Sequence, residues 1–258
     1  MATNVVNEPI QEFHGESLTV PGSSAARGIF LLRKPFGEFL FEPQAAMRLV
    51  LSPRIELGYF YDASAAVGSR WKDLASRITN RHVAGDTSTI LDAMQTGDFI
   101  YLGCKVPFLG FWVDMDASAI NGNTATLAMA YSKSDSTFAS GTISSDGTVT
   151  SSATLAKDGL VVITVPTDWM QFKLSAILSD LSAPSRELYW LRFSVSAALS
   201  ADIEMEGIAA LQSPVSVGAY LKANVEYTMG LGDEVGSLEV LAQADAATSA
   251  KCSWIRRR

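Results

Sequence analysis

The sequence predicts an all-β protein, an antiparallel β-sandwich of jelly-roll-like type with short helices and terminal arms. Short runs rich in Val, Ile, Tyr, Phe and Thr recur along the chain, broken by Gly, Asn, Asp and Pro, whereas helical periodicity is hard to find. The 258 residues, 48% of them hydrophobic, are enough to bury a core. A single β-sandwich can exceed about 200 residues, so the length allows either one large domain or two smaller domains.

Eleven runs have the composition of strands. Leu188–Ser196 is apolar on both faces, so we expect a central strand with Trp190 in the core. Tyr220–Met229 has polar residues at alternate positions, including Lys222 and Asn224, which indicates a strand bordering solvent or a subunit. The predicted strands are Met47–Leu51, Glu56–Tyr61, Phe99–Cys104, Gly110–Asp114, Thr124–Tyr131, Leu160–Val165, Leu188–Ser196, Asp202–Leu211, Tyr220–Met229, Leu238–Ala242 and Lys251–Arg256.

Other stretches predict short helices and hairpins. The predicted short helices are Ser64–Ser76, Thr87–Gln95 and Thr167–Leu181, and capping signals support the second and the third. Residues 117–156 are rich in Ser and Thr and contain Asn-Gly and Asp-Gly turn sequences. This pattern predicts hairpins whose Ser and Thr side chains line a solvent-facing surface.

Composition divides the chain into an N-terminal arm (1–43), a β-sandwich domain (44–212) and a C-terminal β-hairpin extension (213–258). An apolar segment that follows a polar leader can pack on a neighbouring subunit, because such a surface is not tolerated bare in water. Its alternative role is the first strand pair of the sandwich itself. The basic C-terminus can pair with an acidic neighbour or stay solvated. The candidate interface residues are Phe30, Phe36, Phe39, Phe41, Trp254, Arg256, Arg257 and Arg258.

The charge balance bears on partners. Twenty Lys and Arg against 27 Asp and Glu give a net charge of -7. Nucleic-acid affinity depends mainly on Lys and Arg that neutralise phosphates, so we expect no nucleic-acid partner. No run approaches the ~20 apolar residues of a membrane-spanning helix, and the first residues carry no secretion signal. We therefore expect no membrane partner and synthesis in a cytosol.

Candidate residues for metal or acid–base chemistry are few. The two histidines, His14 and His82, lie 68 positions apart, and no nucleophile motif accompanies His82. Cys104 and Cys252 lie in apolar runs without metal-ligand spacing, so buried thiols are expected.

Asp114 and Asp116 share one strand face, and Asn121 and Asn123 follow closely. These residues are a partial oxygen set for Ca²⁺ or, alternatively, simply form turns. We expect no catalytic residue, no cofactor and no complete metal site.

Six short motifs follow one another in the central part of the chain. They are Gly97–Gly103, Pro107–Asp114, the Thr-Leu-x-Met-x-Tyr segment at 126–131, Asp146-Gly147-Thr148, Pro166–Trp169 and Leu188–Phe193. In this order they resemble the β-sandwich virion structural proteins of tailed bacteriophages. The resemblance covers more than half of the chain, from about Trp71 to Leu211, and it depends on the order, because each motif alone is a generic strand or turn.

The resemblance implies a non-enzymatic component of a virion, either a capsid-associated decoration protein or a neck or tail protein. Its implied partners are copies of itself, as a homo-oligomer, and other virion proteins, after synthesis in the host cytoplasm. It assigns no catalytic residue. The alternative function is a carbohydrate- or receptor-binding β-sandwich module on a phage particle, which several exposed Trp side chains in one groove would favour.

Overall fold

The computed structural model describes residues 11–20, 27–31, 38–53, 55–74, 91, 94–116, 118–133, 136–178, 181, 186–211, 222–224, 227–230, 238–244 and 248–256. Across these residues antiparallel sheets dominate, which confirms the predicted all-β sandwich class. The strands in chain order are β1 (Gln11–Val20), β2 (Arg27–Leu31), β3 (Glu38–Pro43), β4 (Met47–Pro53), β5 (Ile55–Tyr61), β6 (Trp71–Asp73), β7 (Phe99–Cys104), β8 (Gly110–Met115), β9 (Leu127–Ser132), β10 (Phe138–Ser140), β11 (Ile143–Asp146), β12 (Gly159–Ile163), β13 (Gln171–Lys173), β14 (Glu187–Val195), β15 (Met205–Leu211), β16 (Tyr227–Gly230), β17 (Leu238–Ala244) and β18 (Thr248–Arg256).

The chain forms two compact units, and unit 1 combines its two ends, residues 1–51 and 214–258. One of its sheets has the order β1-β18-β3-β16 and the other the order β2-β17-β4. Strands from the predicted arm therefore pair with strands from the predicted extension: Phe30 lies opposite Val240, and Phe39 lies opposite Trp254. The packing of these segments on a neighbouring subunit stays a prediction.

One predicted strand of unit 1 begins later than expected. Residues 222–224 form a turn, and Asn224 has a φ of 57°, in the left-handed region that strands do not use. The strand that follows is β16, which starts at Tyr227. The alternating polar residues at 222 and 224 therefore belong to a turn and not to a wet strand face.

Unit 2, residues 52–213, is a sandwich of two sheets. The seven-stranded sheet has the order β10-β9-β14-β7-β5-β6, with β13 also paired to β14, and the four-stranded sheet has the order β11-β12-β8-β15. Apolar side chains from both sheets form one buried core. Phe111 of β8 and Phe193 of β14 meet there with ring centroids 4.2 Å apart.

Strand β14 lies in the middle of the seven-stranded sheet, between β7 on one side and β9 and β13 on the other. Trp190 has 0% of its surface exposed. Its indole Nε1 donates to the Phe172 carbonyl at 2.9 Å. The expectation of a central strand with Trp190 in the core is confirmed.

Two of the predicted helices are wrong. Residues 62–70 form turns that lead into β6, whose residues pair with β5. Within 167–181 the structure has β13, paired with β14, and a single 3₁₀ turn, Leu174–Ala176. Pairing with β5 and β14 overrides the local helix signals, as tertiary context often does. Of the third predicted helix, only residues 91, 94 and 95 lie within the described part of the chain.

Side-chain hydrogen bonds hold the loops of unit 2. Asp146 accepts from the Thr148 hydroxyl through Oδ1 and from the Thr154 hydroxyl through Oδ2, both at 2.6 Å. Asn121 donates through Nδ2 to the Thr154 carbonyl and accepts through Oδ1 from the backbone N–H of Ser200. Thr148, Thr154 and Ser132 are fully buried. The prediction that this Ser/Thr-rich stretch lines a solvent-facing surface is therefore wrong at these three positions.

Candidate interaction surface

The seven-stranded sheet is apolar on both faces, and the face turned away from the four-stranded sheet is aromatic. Side chains alternate along a strand. In β7, Ile100 and Leu102 belong to the core between the sheets, whereas Phe99 and Tyr101 lie on the other side. We call this second surface the aromatic face; its residues are Tyr59, Tyr61, Trp71, Phe99, Tyr101, Phe138, Phe172 and Trp190.

Strand register brings these rings into rows across the sheet. Tyr61 of β5 lies directly opposite Trp71 of β6 and Phe99 of β7, and Tyr59 lies opposite Tyr101. Directly opposed residues have Cβ atoms about 4.5–5.5 Å apart, close enough for aromatic side chains to contact. The rows need strands from distant parts of the chain.

Most of the rings meet at steep angles, and two pairs, Tyr61–Phe99 and Tyr59–Trp190, lie closer to parallel at 27° and 29°. Trp71 lies 4.8 Å from Tyr61 and 5.4 Å from Tyr101 between ring centroids, with interplanar angles of 54° and 45°. Tyr101 meets Phe138 at 69°. Trp71, Tyr61, Phe99 and Phe138 are half-buried, so the face is partly open to solvent. The Trp71 Nε1 is buried and finds no hydrogen-bond partner among the residues described.

A glycine makes room for the largest ring of this face. Gly103 lies opposite Trp190 in the register of β7 and β14. A Cβ at position 103 would come within 2.7 Å of the Trp190 ring and 2.8 Å of Leu188. Because Gly103 has no side chain, the Trp190 indole can pack against β7.

Arg192 is the cation of the aromatic face. It lies two residues after Trp190 on β14, opposite Tyr101 on one side and Ala130 on the other. Its guanidinium carbon is 4.6 Å from the Phe99 ring centroid and 4.8 Å from that of Phe138. The half-buried guanidinium is thus held against two rings, a cation–π arrangement.

Hydrogen bonds and burial shift the pKa values of groups beside the aromatic face. Burial raises the pKa of the Tyr59 hydroxyl, and the nearby Asp73 charge raises it further. At the end of β5, the Ser64 hydroxyl donates to Asp62 at 2.7 Å. This hydrogen bond is the main reason why the pKa of Asp62 is lowered, and the Lys72 ammonium, 3.7 Å away, adds to it. Tyr59 therefore stays neutral and Asp62 stays ionised near neutral pH.

Asp114 and Asp116 lie in different environments. Asp114 is buried in β8, with 6% of its surface exposed. Asp116 follows the strand and accepts from the backbone N–H and the hydroxyl of Ser118 at 2.7 and 2.6 Å, which lowers the pKa of Asp116. Asn123 donates from its backbone to Asn121, which is itself buried in the loop network. All three of these hydrogen bonds act within the loop itself.

The histidines and cysteines are described in part. His14 lies in β1, where its strand position but not its side chain is described, and His82 lies outside the described residues. Cys104 is a buried thiol, as expected. Cys252 pairs with Phe41 in the register of β18 and β3.

The predicted interface residues also fall only partly within the described chain. Phe30, Phe39, Phe41, Trp254 and Arg256 occupy strand positions of unit 1, and their side chains are not described. Phe36, Arg257 and Arg258 lie outside the described residues. Their role at a subunit interface stays a prediction.

Three of the described Trp side chains, Trp112, Trp169 and Trp190, are buried. Trp71 is half-buried on the aromatic face, although the sequence placed it in a helical turn. Sequence reasoning missed this face. The signal was available in the alternation Tyr59-x-Tyr61 and Phe99-x-Tyr101. Aromatic residues at alternate positions predict a second apolar face on strands whose other face is already apolar.

No model of a known protein family matches the chain, and no curated protein matches it. Within the described ranges, no helix is long and apolar enough to cross a bilayer. The same residues contain no group of three or more His, Cys, Asp or Glu side chains placed to hold a metal ion. Among the described side chains, the aromatic face with Arg192 is the candidate interaction surface.

Proposed function

We propose that the protein is a non-enzymatic structural component of a tailed-bacteriophage particle, either a capsid-associated decoration protein or a neck or tail protein. It acts through contacts with copies of itself and with other particle proteins. The particle assignment rests on the resemblance of the ordered motif series. The mode of action rests on how the structure uses those motifs.

The observation that supports this proposal is that the motif residues hold unit 2 together. Asp98 is buried, and its two carboxylate oxygens accept from the backbone N–H groups of Ala63 and Gln95 at 2.8 and 2.7 Å. Trp169 Nε1 donates to the carbonyl of Trp190 at 3.2 Å. These groups satisfy loops and strand ends, which is a structural role and not an acid–base one.

The carbohydrate-binding alternative needs several exposed Trp side chains in one groove. Among the described Trp side chains, only Trp71 is partly exposed, and its ring is tilted against Tyr61 and Tyr101. Stacking of a sugar requires an open ring face. We therefore keep the structural role as the proposal.

The test is the mass of the native full chain and its presence in particles. Light scattering coupled to size exclusion should give a multiple of the 27.6 kDa chain mass. Quantitative mass spectrometry of gradient-purified particles should find the chain in many copies per particle. Absence from purified particles would refute the particle assignment. A monomer at all concentrations would refute self-association, since closed assemblies require subunit contacts.

A further inference from the structure

Arg192 carries a charge that no described residue neutralises. Its contacts in the structure are the rings of Phe99 and Phe138, and no carboxylate or carbonyl among the described residues pairs with its guanidinium. Glu56, by contrast, lies 3.1 Å from Arg186 and 3.6 Å from Lys105. The protein has 27 acidic residues against 20 basic ones, yet none of the acidic side chains that the structure describes pairs with this half-buried arginine.

The rings hold the guanidinium ready for a planar anion. Arginine presents five N–H donors in a rigid fork that matches a carboxylate in two parallel hydrogen bonds. Stacking on Phe99 and Phe138 restricts the side chain, so less freedom is lost when a carboxylate binds. Burial within an apolar surround strengthens such a pair relative to one in water.

The space beside Arg192 is open on one side. Its cross-strand neighbour on β9 is Ala130, and Ala128 of the same strand lies opposite Ser194. Ala128 is exposed, and Ser194 is half-buried on the same sheet face as Arg192. Small side chains on β9 therefore leave room for a group that reaches the guanidinium, and the Ser194 hydroxyl can donate to the same group.

The arrangement of the rings favours a protein over a sugar as the ligand. Most ring pairs of the face are tilted or edge-to-face, at 45° to 90°, whereas Tyr61–Phe99 and Tyr59–Trp190 lie closer to parallel, at 27° and 29°. The rings therefore form an uneven apolar surface and not one flat platform. Arginine and aromatic residues are enriched in protein–protein interfaces and in the residues that dominate their energetics. A charge that a partner covers with apolar groups needs an opposite charge on that partner.

We propose that the aromatic face around Arg192 binds an acidic segment of a partner protein, in which an Asp or Glu carboxylate pairs with the guanidinium and adjacent apolar side chains cover Phe99 and Phe138. This inference rests on the proposed function in that it names the chemistry of a protein contact. It goes further because it places that contact on residues that the sequence analysis did not predict to form an interface.

The probe is the peptide acetyl-Glu-Phe-Glu-Leu-Glu-amide, added to the full chain, with the peptide acetyl-Gln-Phe-Gln-Leu-Gln-amide as the matched uncharged control. Binding is followed by NMR at the Arg192 Nε–Hε and Trp71 indole N–H resonances. We expect saturable shifts of both resonances with the acidic peptide and at least tenfold weaker binding of the uncharged one. Equal affinities, or no shift with either peptide, would overturn the proposal.

Substitutions of Arg192 give a second test of the binding site. Arg192→Gln should weaken binding of the acidic peptide at least tenfold, and Arg192→Lys should weaken it too because the fork is lost. Arg186→Gln removes the same charge from a residue paired with Glu56 and should leave binding unchanged. If Arg186→Gln weakened peptide binding equally, the effect would come from the net charge of the protein and not from Arg192, and the proposed site would be wrong.

Two further outcomes separate this inference from related ideas. If glucuronic acid shifts the same resonances at lower concentration than the peptide does, the ligand is an acidic sugar and the proposal is wrong. If the peptide fails to bind while the chain still forms a multiple of its monomer mass, this inference fails and the proposed function stands. The two measurements are independent because peptide binding does not require assembly.

Discussion

The inner and outer faces of the seven-stranded sheet are formed by the same strands but bury their side chains to different extents. On β14, Phe193 points into the sandwich and is 1% exposed, and it packs against Phe111 of the opposite sheet. On the outer face, Trp190 is equally buried, but Phe99 and Phe138 remain partly exposed around Arg192. The outer face is therefore buried around Trp190 and partly exposed around Arg192.

This difference separates stability from interaction. A second sheet covers the inner face, so its side chains stabilise the fold through burial. On the outer face, aromatic rings and an arginine remain partly exposed to water. Such partly exposed side chains add little to the stability of a monomer. We infer that the residues around Trp190 stabilise unit 2, whereas those around Arg192 are available for a partner.

The largest expected effect tests whether the Trp190 end of the outer face is core. Trp190→Ala and Phe193→Ala should each lower the free energy of unfolding by about 3–5 kcal/mol, because both remove a fully buried ring from one central strand. Urea denaturation followed by circular dichroism measures both. A loss under about 1 kcal/mol for Trp190→Ala, with the full loss for Phe193→Ala, would show that the outer face contributes no core.

A smaller effect tests the packing under Trp190. Gly103→Ala should lower the free energy of unfolding by about 1–3 kcal/mol, because the new Cβ lies 2.7 Å from the indole. Gly97→Ala is the matched control, since its nearest contact would be Ala63 Cβ at 3.6 Å. Equal losses for the two variants would mean that helix or strand propensity, and not the contact with Trp190, sets the effect.

Arg192 should matter little for stability. Arg192→Leu loses the contacts with Phe99 and Phe138 but also removes a half-buried charge without a described counter-ion. We expect a change in the free energy of unfolding within about 1 kcal/mol, measured by urea denaturation. A loss above about 2 kcal/mol would identify Arg192 as a structural residue and would weaken the separation of the two ends of this face.

Strand composition was enough to predict the all-β class and the positions of many strands, but not the order of the strands in the sheets. Each of the eleven predicted strands coincides at least in part with an observed one, because runs of β-branched and aromatic residues between turn residues are a local signal. The three-residue strands β6 and β13 were predicted as parts of helices. Nothing within so short a segment distinguishes a strand from a helix. The conformation of β6 depends on its pairing with β5, and that of β13 on its pairing with β14.

The candidate surface was harder to predict for a related reason. The sequence predicted that Trp190 is buried, because its own strand is apolar on both faces. It could not predict that Tyr61, Trp71 and Phe99 meet, since these residues lie on three strands whose adjacency depends on sheet order. Thr148 and Thr154 were missed for a more local reason. Their hydroxyls donate to the nearby Asp146 carboxylate in a buried loop, and composition alone does not show that this loop is buried.

The smallest expected effect concerns the edge of the aromatic face and its dependence on pH. The pKa of Asp62 is lowered from its ordinary value of 3.8, mainly by the Ser64 hydroxyl. The ionised carboxylate therefore contributes stability that is present above about pH 4 and is lost as the pH falls through the lowered folded-state pKa. Because Asp62 is at the surface, we expect a contribution below about 1 kcal/mol.

Ser64→Ala removes the main cause of the lowered pKa and leaves the Asp62 carboxylate in place. An NMR titration of the Asp62 carboxyl should then give a pKa closer to 3.8 than in the unchanged protein, with Asp116, held by Ser118, as the internal reference. Trp71 fluorescence should change at a higher pH in this variant, because Asp62 and Trp71 flank the same β5–β6 turn. If the pKa of Asp62 stays where it was, the backbone N–H groups of Ser64 and Ala65 hold the carboxylate, and the hydroxyl contributes nothing. If the pKa of Asp62 moves and the Trp71 fluorescence transition does not, Asp62 titrates independently of the aromatic rings. Any acid sensitivity of the aromatic face must then come from another group.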